Sequence, residues 1–148
     1  MTEANTRDLR LFLNTANVLE NMGDLIETRF VPTGQQRARM HEEFSEKTRG
    51  MTRDLTLSII PVLEDALEAV DTQNVELAEQ IRREKTTLRA RVEELRVHLE
   101  ERLLMSSGDR ARIYGLETEI VESSKRLYDL AKRIAKAVQE RGVESEGT

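Results

Sequence analysis

The chain of 148 residues is 38% hydrophobic, 34% charged and only 3% aromatic, which predicts one helical domain, since sheets favour aromatic and β-branched residues. Its net charge of −5 argues against a nucleic-acid-binding protein, and the absence of cysteine excludes disulfides and thiolate chemistry. No apolar run approaches the roughly 18 to 20 residues that cross a bilayer, and the polar start of the chain is unlike a signal peptide.

The spacing of apolar residues predicts two helices in the first half of the chain. The first covers about residues 6–29 and is ended by Pro32 and Gly34, after which residues 34–42 form a polar connector. Its predicted core positions are Phe12, Leu19, Met22, Ile26 and Phe30, with Leu9, Leu13 and Ala16 beside them. The second covers about residues 43–70, around Phe44, Met51, Leu55, Val62, Leu63, Ala66 and Leu67. Because Pro61 lies inside it, we expect a bend near Leu57.

Two more helices follow. The third covers about residues 74–104, with Asp71 or Thr72 as its N-cap. Its heptad positions hold Ala78, Ile81, Leu88, Val92, Leu95 and Leu99, with Lys85 in one of them. Ser106–Asp109 has the composition of a tight turn before a fourth helix over about residues 109–141. That helix has its core positions at Ile113, Leu116, Ile120, Leu127, Ala131, Ile134 and Val138.

Short connections make neighbouring helices antiparallel, so we expect an all-α, antiparallel, up-down-up-down four-helix bundle. The bundle covers residues 1–141 as a single domain, and residues 142–148 form a polar, disordered tail. The alternative is a long antiparallel coiled-coil hairpin that dimerises, because the heptads of the third helix suit either arrangement.

The candidate functional residues are carboxylates on the outside of the bundle. Glu20 and Asp24 lie one turn apart at the edge of the first core face, and Asp129 lies nearly opposite the core face of the fourth helix. Neither His41 nor His98 completes an inward Glu-x-x-His motif, which argues against a ferritin-like di-iron centre. An outward acid pair suits a hard cation, but such pairs are also common on solvated surfaces.

The remaining polar residues do not indicate catalysis. His98 sits beside core positions and is interpreted as a packing residue, and Lys85 as a snorkelling or register-setting one. The sequence contains no nucleophile–base constellation and no glycine-rich phosphate loop, so we predict that the protein is not an enzyme.

Three stretches are similar to one known family. Leu19-Glu20-Asn21-Met22-Gly23-Asp24 matches a helix that reads roughly L-E-R-I-G-D-H-A, Asn74-Val75-Glu76-Leu77-Ala78 stands where that family has an acid followed by Glu-Leu-Ala, and His98–Leu103 is similar to the end of its long helix. The chain therefore resembles the PhoU domain over about residues 9–138, especially the version at the C-terminus of bacterial sodium/phosphate cotransporters. In the second acidic motif Lys125 replaces the glutamate and Tyr128 the glycine, while Asp129 remains.

The resemblance implies a regulatory or accessory domain in phosphate transport and phosphate homeostasis. Its partner would be a membrane phosphate transporter or a sensor kinase, and its location would be the cytoplasm, at the inner membrane. It also implies a divalent or iron/zinc-type metal ion on the surface, bound by Glu20, Asp24 and Asp129, although Lys125 disfavours a cluster that spans both motifs. The alternative function is a structural helical bundle or coiled-coil scaffold that forms a homodimer and binds no ligand.

Overall fold

The structure, a computed structural model, describes residues 2–40, 44–105 and 109–146. They form α1 (Glu3–Leu25), a π-helical turn (Ile26–Phe30), α2 (Val31–Arg39), α3 (Glu46–Thr72), α4 (Val75–Arg83), α5 (Lys85–Leu104) and α6 (Arg110–Glu146). These ranges contain helices and no strand, which confirms an all-α bundle. None of these helices is both long and apolar enough to cross a membrane. His41 and most of the predicted turn, Ser106–Gly108, lie outside the described residues.

The first helix does not end at Pro32, which corrects the prediction. It continues as a π-helical turn and then as α2, so that most of the predicted connector is helical. Proline has no amide hydrogen to donate to the carbonyl four residues back, so the α-helical ladder is interrupted here in any case. In the wider turn, the amide of Val31 donates to the carbonyl of Ile26, five residues earlier.

The π-helical turn changes which residues face the core. The buried residues of α1 are Leu11, Thr15, Val18, Met22 and Leu25, and a regular helix would next bury Arg29, four residues after Leu25. Instead Phe30 packs against the core and Thr33 is buried, while Arg29 is exposed. The extra residue in the turn therefore moves the core position from Arg29 to Phe30.

The core face predicted for the first helix is wrong. Only Met22 of the predicted set is buried and Phe30 is half-buried, whereas Phe12 is 51% exposed and its neighbour Leu11 is 3% exposed. The predicted core positions and their neighbours that are in fact exposed are Leu9, Phe12, Leu13, Ala16, Leu19 and Ile26. Helix α1 is thus apolar on two faces, and the bundle covers the one that starts at Leu11.

Helix α3 contains Pro61 in its interior, as predicted, and the bend near Leu57 stays a prediction. Ser45 caps its start by accepting a hydrogen bond from the amide of Thr48 (3.2 Å). Its end is closed by Gln73 in the left-handed conformation (φ 53°), a Schellman-type arrangement in which the amide of Asn74 donates to the carbonyl of Ala69 (3.1 Å). The N-cap of the next helix is Asn74, not Asp71 or Thr72 as predicted.

The predicted third helix is two helices, α4 and α5, separated by Glu84. Tyr128 of α6 is buried beside this break, and its hydroxyl donates to the carbonyl of Ile81 (2.8 Å). Lys85 is exposed and takes no core position. The other heptad residues of this segment are buried inside the bundle, namely Ala78, Ile81, Leu88, Val92, Leu95 and Leu99. In this fold the heptad face of the segment is covered by the helices of the same chain.

Helix α6 packs against α1, α3, α4 and α5 and supplies much of the core. Asp8 pairs with Arg141 at one end of α1 (2.8 Å) and Arg37 pairs with Glu117 at the end of α2, so this first segment and α6 run in opposite directions. The helix ends at Glu146 and not at Arg141, and just past the predicted end Gly142 lies close to Val75 of α4. The first residues of the predicted tail thus belong to α6, and Gly147 and Thr148 lie outside the described residues.

Candidate functional site

Two of the three predicted site residues meet in one groove. Asp24 of α1 and Asp129 of α6 both line a groove of about 630 Å³ between these helices, which we name the α1–α6 groove. Its other lining residues are Asn21, Leu25, Thr28, Arg29, Arg126, Leu130 and Arg133. Glu20 is exposed on α1 outside the groove. The structure confirms that all three carboxylates face outward.

The α1–α6 groove contains more positive than negative charge. Three arginines line it beside the two aspartates. Asp129 also forms an ion pair with Lys132 (2.8 Å). Within the described ranges there is no group of three or more histidine, cysteine, aspartate or glutamate side chains that could hold a metal ion. Guanidinium groups repel cations and pair with carboxylates, so the groove is better suited to an acidic group than to a metal ion.

The π-helical turn explains why Arg29 lies at this groove. Because the turn removes Arg29 from the core position, its side chain is 59% exposed and reaches Glu119 of α6 (3.4 Å). The sequence contained a signal for this irregularity in Val31-Pro32, but we interpreted the proline as a helix end. A helix end and a π-helical turn both accommodate the missing amide hydrogen of Pro32, and only packing against α6 decides between them.

A buried ionic network was missed by the sequence analysis. Glu117 of α6 is fully buried and accepts hydrogen bonds from Arg37 Nε and from the Thr52 hydroxyl. The guanidinium of Arg37 also lies over the ring of Phe44, 5.0 Å from its centre. Glu117 lies four residues after Ile113 and three before Ile120, so helical spacing already placed it on the core face. Because glutamate is rarely buried, the spacing of apolar residues alone does not mark this position as part of the core.

His98 takes part in a second polar cluster. Its Nε2 lies 2.9 Å from the hydroxyl oxygen of Thr48. The same oxygen lies 2.8 Å from the hydroxyl oxygen of Ser45. Burial, with Lys47 and Arg102 nearby, lowers the pKa of His98, which favours the neutral ring at physiological pH. The cluster joins the start of α3 to α5, so the interpretation of His98 as a packing residue is confirmed.

Helix α1 carries a row of apolar side chains that the bundle leaves uncovered. We name the exposed residues Leu9, Phe12, Leu13, Leu19 and Ile26 the α1 apolar face. With Ala16 and Gly23, which are also exposed, the face follows the alternating three- and four-residue spacing of a coiled-coil seam. Helix α3 also exposes Leu57, Ile60 and Leu67. A row of exposed apolar side chains like that of α1 marks an interaction site on a small protein.

Comparison with known proteins found no relative of this chain. No family model, no curated protein and no solved structure matches it.

Proposed function

We propose that this chain is a non-catalytic accessory domain that binds a helix of a partner protein on the α1 apolar face. The observation that supports this most is the heptad spacing of exposed apolar residues from Leu9 to Ile26. Binding of a second helix over such residues is favourable, because it removes their apolar surface from water. The proposal therefore commits to an amphipathic helix as the partner element.

Gly23 is the second observation. A glycine in a helix interior costs about 1 kcal/mol relative to alanine, yet a Cβ at Gly23 would meet no atom within 4 Å in the bundle. The fold itself does not need this glycine. Its place between Leu19 and Ile26 on the α1 apolar face suits the close approach of a partner helix, whose backbone or large side chain would fill the open space.

Charge next to the face selects the kind of partner. Glu20 and Glu27 are exposed and follow Leu19 and Ile26 directly, so they border the seam on one side. Two copies of the face in antiparallel pairing would bring like charges together, which is unfavourable. A partner helix with lysine or arginine along its edge fits better than a second copy. In this proposal Glu20 pairs with a basic residue of the partner helix.

The resemblance to the PhoU domain gives the partner to test. It suggests a cytoplasmic helix of a membrane phosphate transporter or of a sensor kinase, and thus a regulatory role in phosphate transport at the inner membrane. The alternative, a structural scaffold without ligand, requires a stable homodimer, and the α1 apolar face is the surface it would use.

The test is a double substitution, Phe12→Glu with Leu19→Glu, with Val97→Glu as the control. Val97 is exposed to a similar degree on α5, away from the face. Binding to the purified transporter and to the sensor kinase of the source genome is measured by calorimetry. We expect the double variant to bind at least about 100-fold more weakly and the control to bind like the wild type. Equal binding of all three proteins would contradict the proposal, and a concentration-independent dimer in sedimentation would favour the scaffold.

A surface metal ion held by Asp24 and Asp129, which line one groove, is a second proposal, although the three arginines of that groove disfavour a cation. Metal analysis of the freshly purified protein, of Asp24→Ala and of Asp129→Ala tests it. Bound metal in the wild type that is lost in both variants supports the site. Equal and near-zero content in all three proteins would exclude it.

A further inference from the structure

A second groove, between α5 and α6, is lined mainly by basic side chains. It has a volume of about 580 Å³ and lies on the other side of the α6 ridge from the α1–α6 groove. Its basic lining residues are Lys85, Arg89, Arg96, Lys125 and Lys132. We name it the basic groove. It shares no lining residue with the α1 apolar face.

The positive charge of this groove is only partly neutralised. Glu93 and Asp129 are its acidic lining residues, and Lys132 pairs with Asp129 (2.8 Å). Lys125 pairs with Glu122 (3.1 Å). By contrast, none of the ion pairs among the described residues includes Lys85, Arg89 or Arg96. A chain with a net charge of −5 thus places five basic and only two acidic side chains in one concave place.

The basic groups are arranged along both walls. Lys85, Arg89 and Arg96 share one face of α5 and extend over about 16 Å of helix axis, while Lys125 and Lys132 stand two turns apart on α6. The apolar side chains Leu88 and Val92 lie between the basic groups of α5. A single small anion could reach only a few of these groups at once, whereas an elongated oligoanion could contact both walls.

We propose that the basic groove binds a small ligand with several linked phosphate groups. Arginine forks pair with phosphate oxygens in two parallel hydrogen bonds, and lysines add point charges, so this mixture suits phosphate chains. The volume of the groove lies in the range of small-molecule sites. Free inorganic phosphate chains and organic polyphosphates such as nucleoside triphosphates share this chemistry.

Calorimetry on the full chain tests the proposal with inorganic tripolyphosphate, adenosine triphosphate, orthophosphate and citrate as separate ligands. We expect tripolyphosphate to bind at least about tenfold more tightly than orthophosphate or citrate, because a chain of linked phosphates offers more oxygens to the arginine and lysine groups than a single phosphate or a tricarboxylate. Binding of adenosine triphosphate at the same affinity indicates recognition of the phosphate chain alone, and tighter binding indicates an organic polyphosphate. The affinity should fall as salt is raised.

The matched variants are Arg89→Gln with Arg96→Gln, and Arg53→Gln with Arg91→Gln. Both pairs remove two exposed arginines from helices, but Arg53 and Arg91 lie outside the basic groove. We expect the first pair to lose at least about tenfold in tripolyphosphate affinity and the second to bind like the wild type. Circular dichroism checks that both remain folded. No binding by the wild type, equal loss in the two pairs, or equal affinity for citrate would overturn the proposal.

Discussion

Replacement of Glu117 by leucine tests the buried network that joins α2, α3 and α6. The substitution leaves the guanidinium of Arg37, whose side chain is only 22% exposed, without its carboxylate. It also leaves the buried hydroxyl of Thr52 without its acceptor. Removal of one partner of a buried ion pair costs about 3–5 kcal/mol, which is a large share of the roughly 5–15 kcal/mol by which domains of this kind are stable.

The measurement is urea unfolding followed by circular dichroism at 222 nm, with Glu119→Leu as the matched control. Glu119 lies on the same helix and also pairs with an arginine, Arg29, but the pair is exposed, so we expect a loss of no more than about 1 kcal/mol. The double variant Arg37→Met, Glu117→Leu should recover much of the loss, because no unpaired charge remains buried. A cost of less than about 1 kcal/mol for Glu117→Leu would contradict the role of the network. So would a double variant whose loss equals the sum of the losses of Arg37→Met and Glu117→Leu measured separately.

Three further predictions concern single side chains. Leu11→Ala should cost about 2–5 kcal/mol in urea unfolding and Phe12→Ala no more than about 0.5, because only Leu11 is buried; equal losses would contradict the observed register of α1. Tyr128→Phe should cost about 1–2 kcal/mol by leaving the carbonyl at the α4–α5 break without its donor, and a melting temperature equal to that of the wild type would contradict this. Burial lowers the pKa of His98. The neutral ring therefore stabilises the folded state above the unfolded pKa of about 6.5, and this stabilisation is lost as the pH falls through the folded pKa. Melting curves between pH 8 and pH 5 should show this loss in the wild type and not in His98→Asn.

The helices themselves could be predicted from the sequence, because a helix is specified largely by local spacing and caps. The fourth helix is the best example, since Ile120, Leu127, Ala131 and Ile134 are all buried as predicted. The outward direction of Glu20, Asp24 and Asp129 was also predictable, because it needs only the period of 3.6 residues. Irregular turns within the helices could not be predicted in the same way. A proline, as at Val31-Pro32, is compatible with a helix end, a kink or a π-helical turn, and local sequence does not choose between them.

The candidate site was predicted only in part. Spacing along one helix placed Asp24 and Asp129 on the surface, but their meeting in one groove depends on how α1 packs against α6. Of the three arginines that accompany them, Arg126 and Arg133 lie within about one turn of Asp129 on α6, whereas Arg29 comes from a distant part of the chain and reaches the groove only because of the π-helical turn. Charge at a site is a sum over neighbours in space, so a motif of two acids could not reveal that basic groups outnumber them.

The sequence by itself determined an all-helical domain with outward-facing acids, because hydrogen bonds within a helix and the 3.6-residue period are local properties. Only the tertiary structure decided which of two apolar faces α1 buries. Both the Leu11 face and the Phe12 face have helical spacing, and burial is a property of the whole set of packed helices. The bundle covers Leu11, Val18 and Leu25 and leaves Phe12, Leu19 and Ile26 in solvent. That choice turns a predicted core into the proposed docking surface.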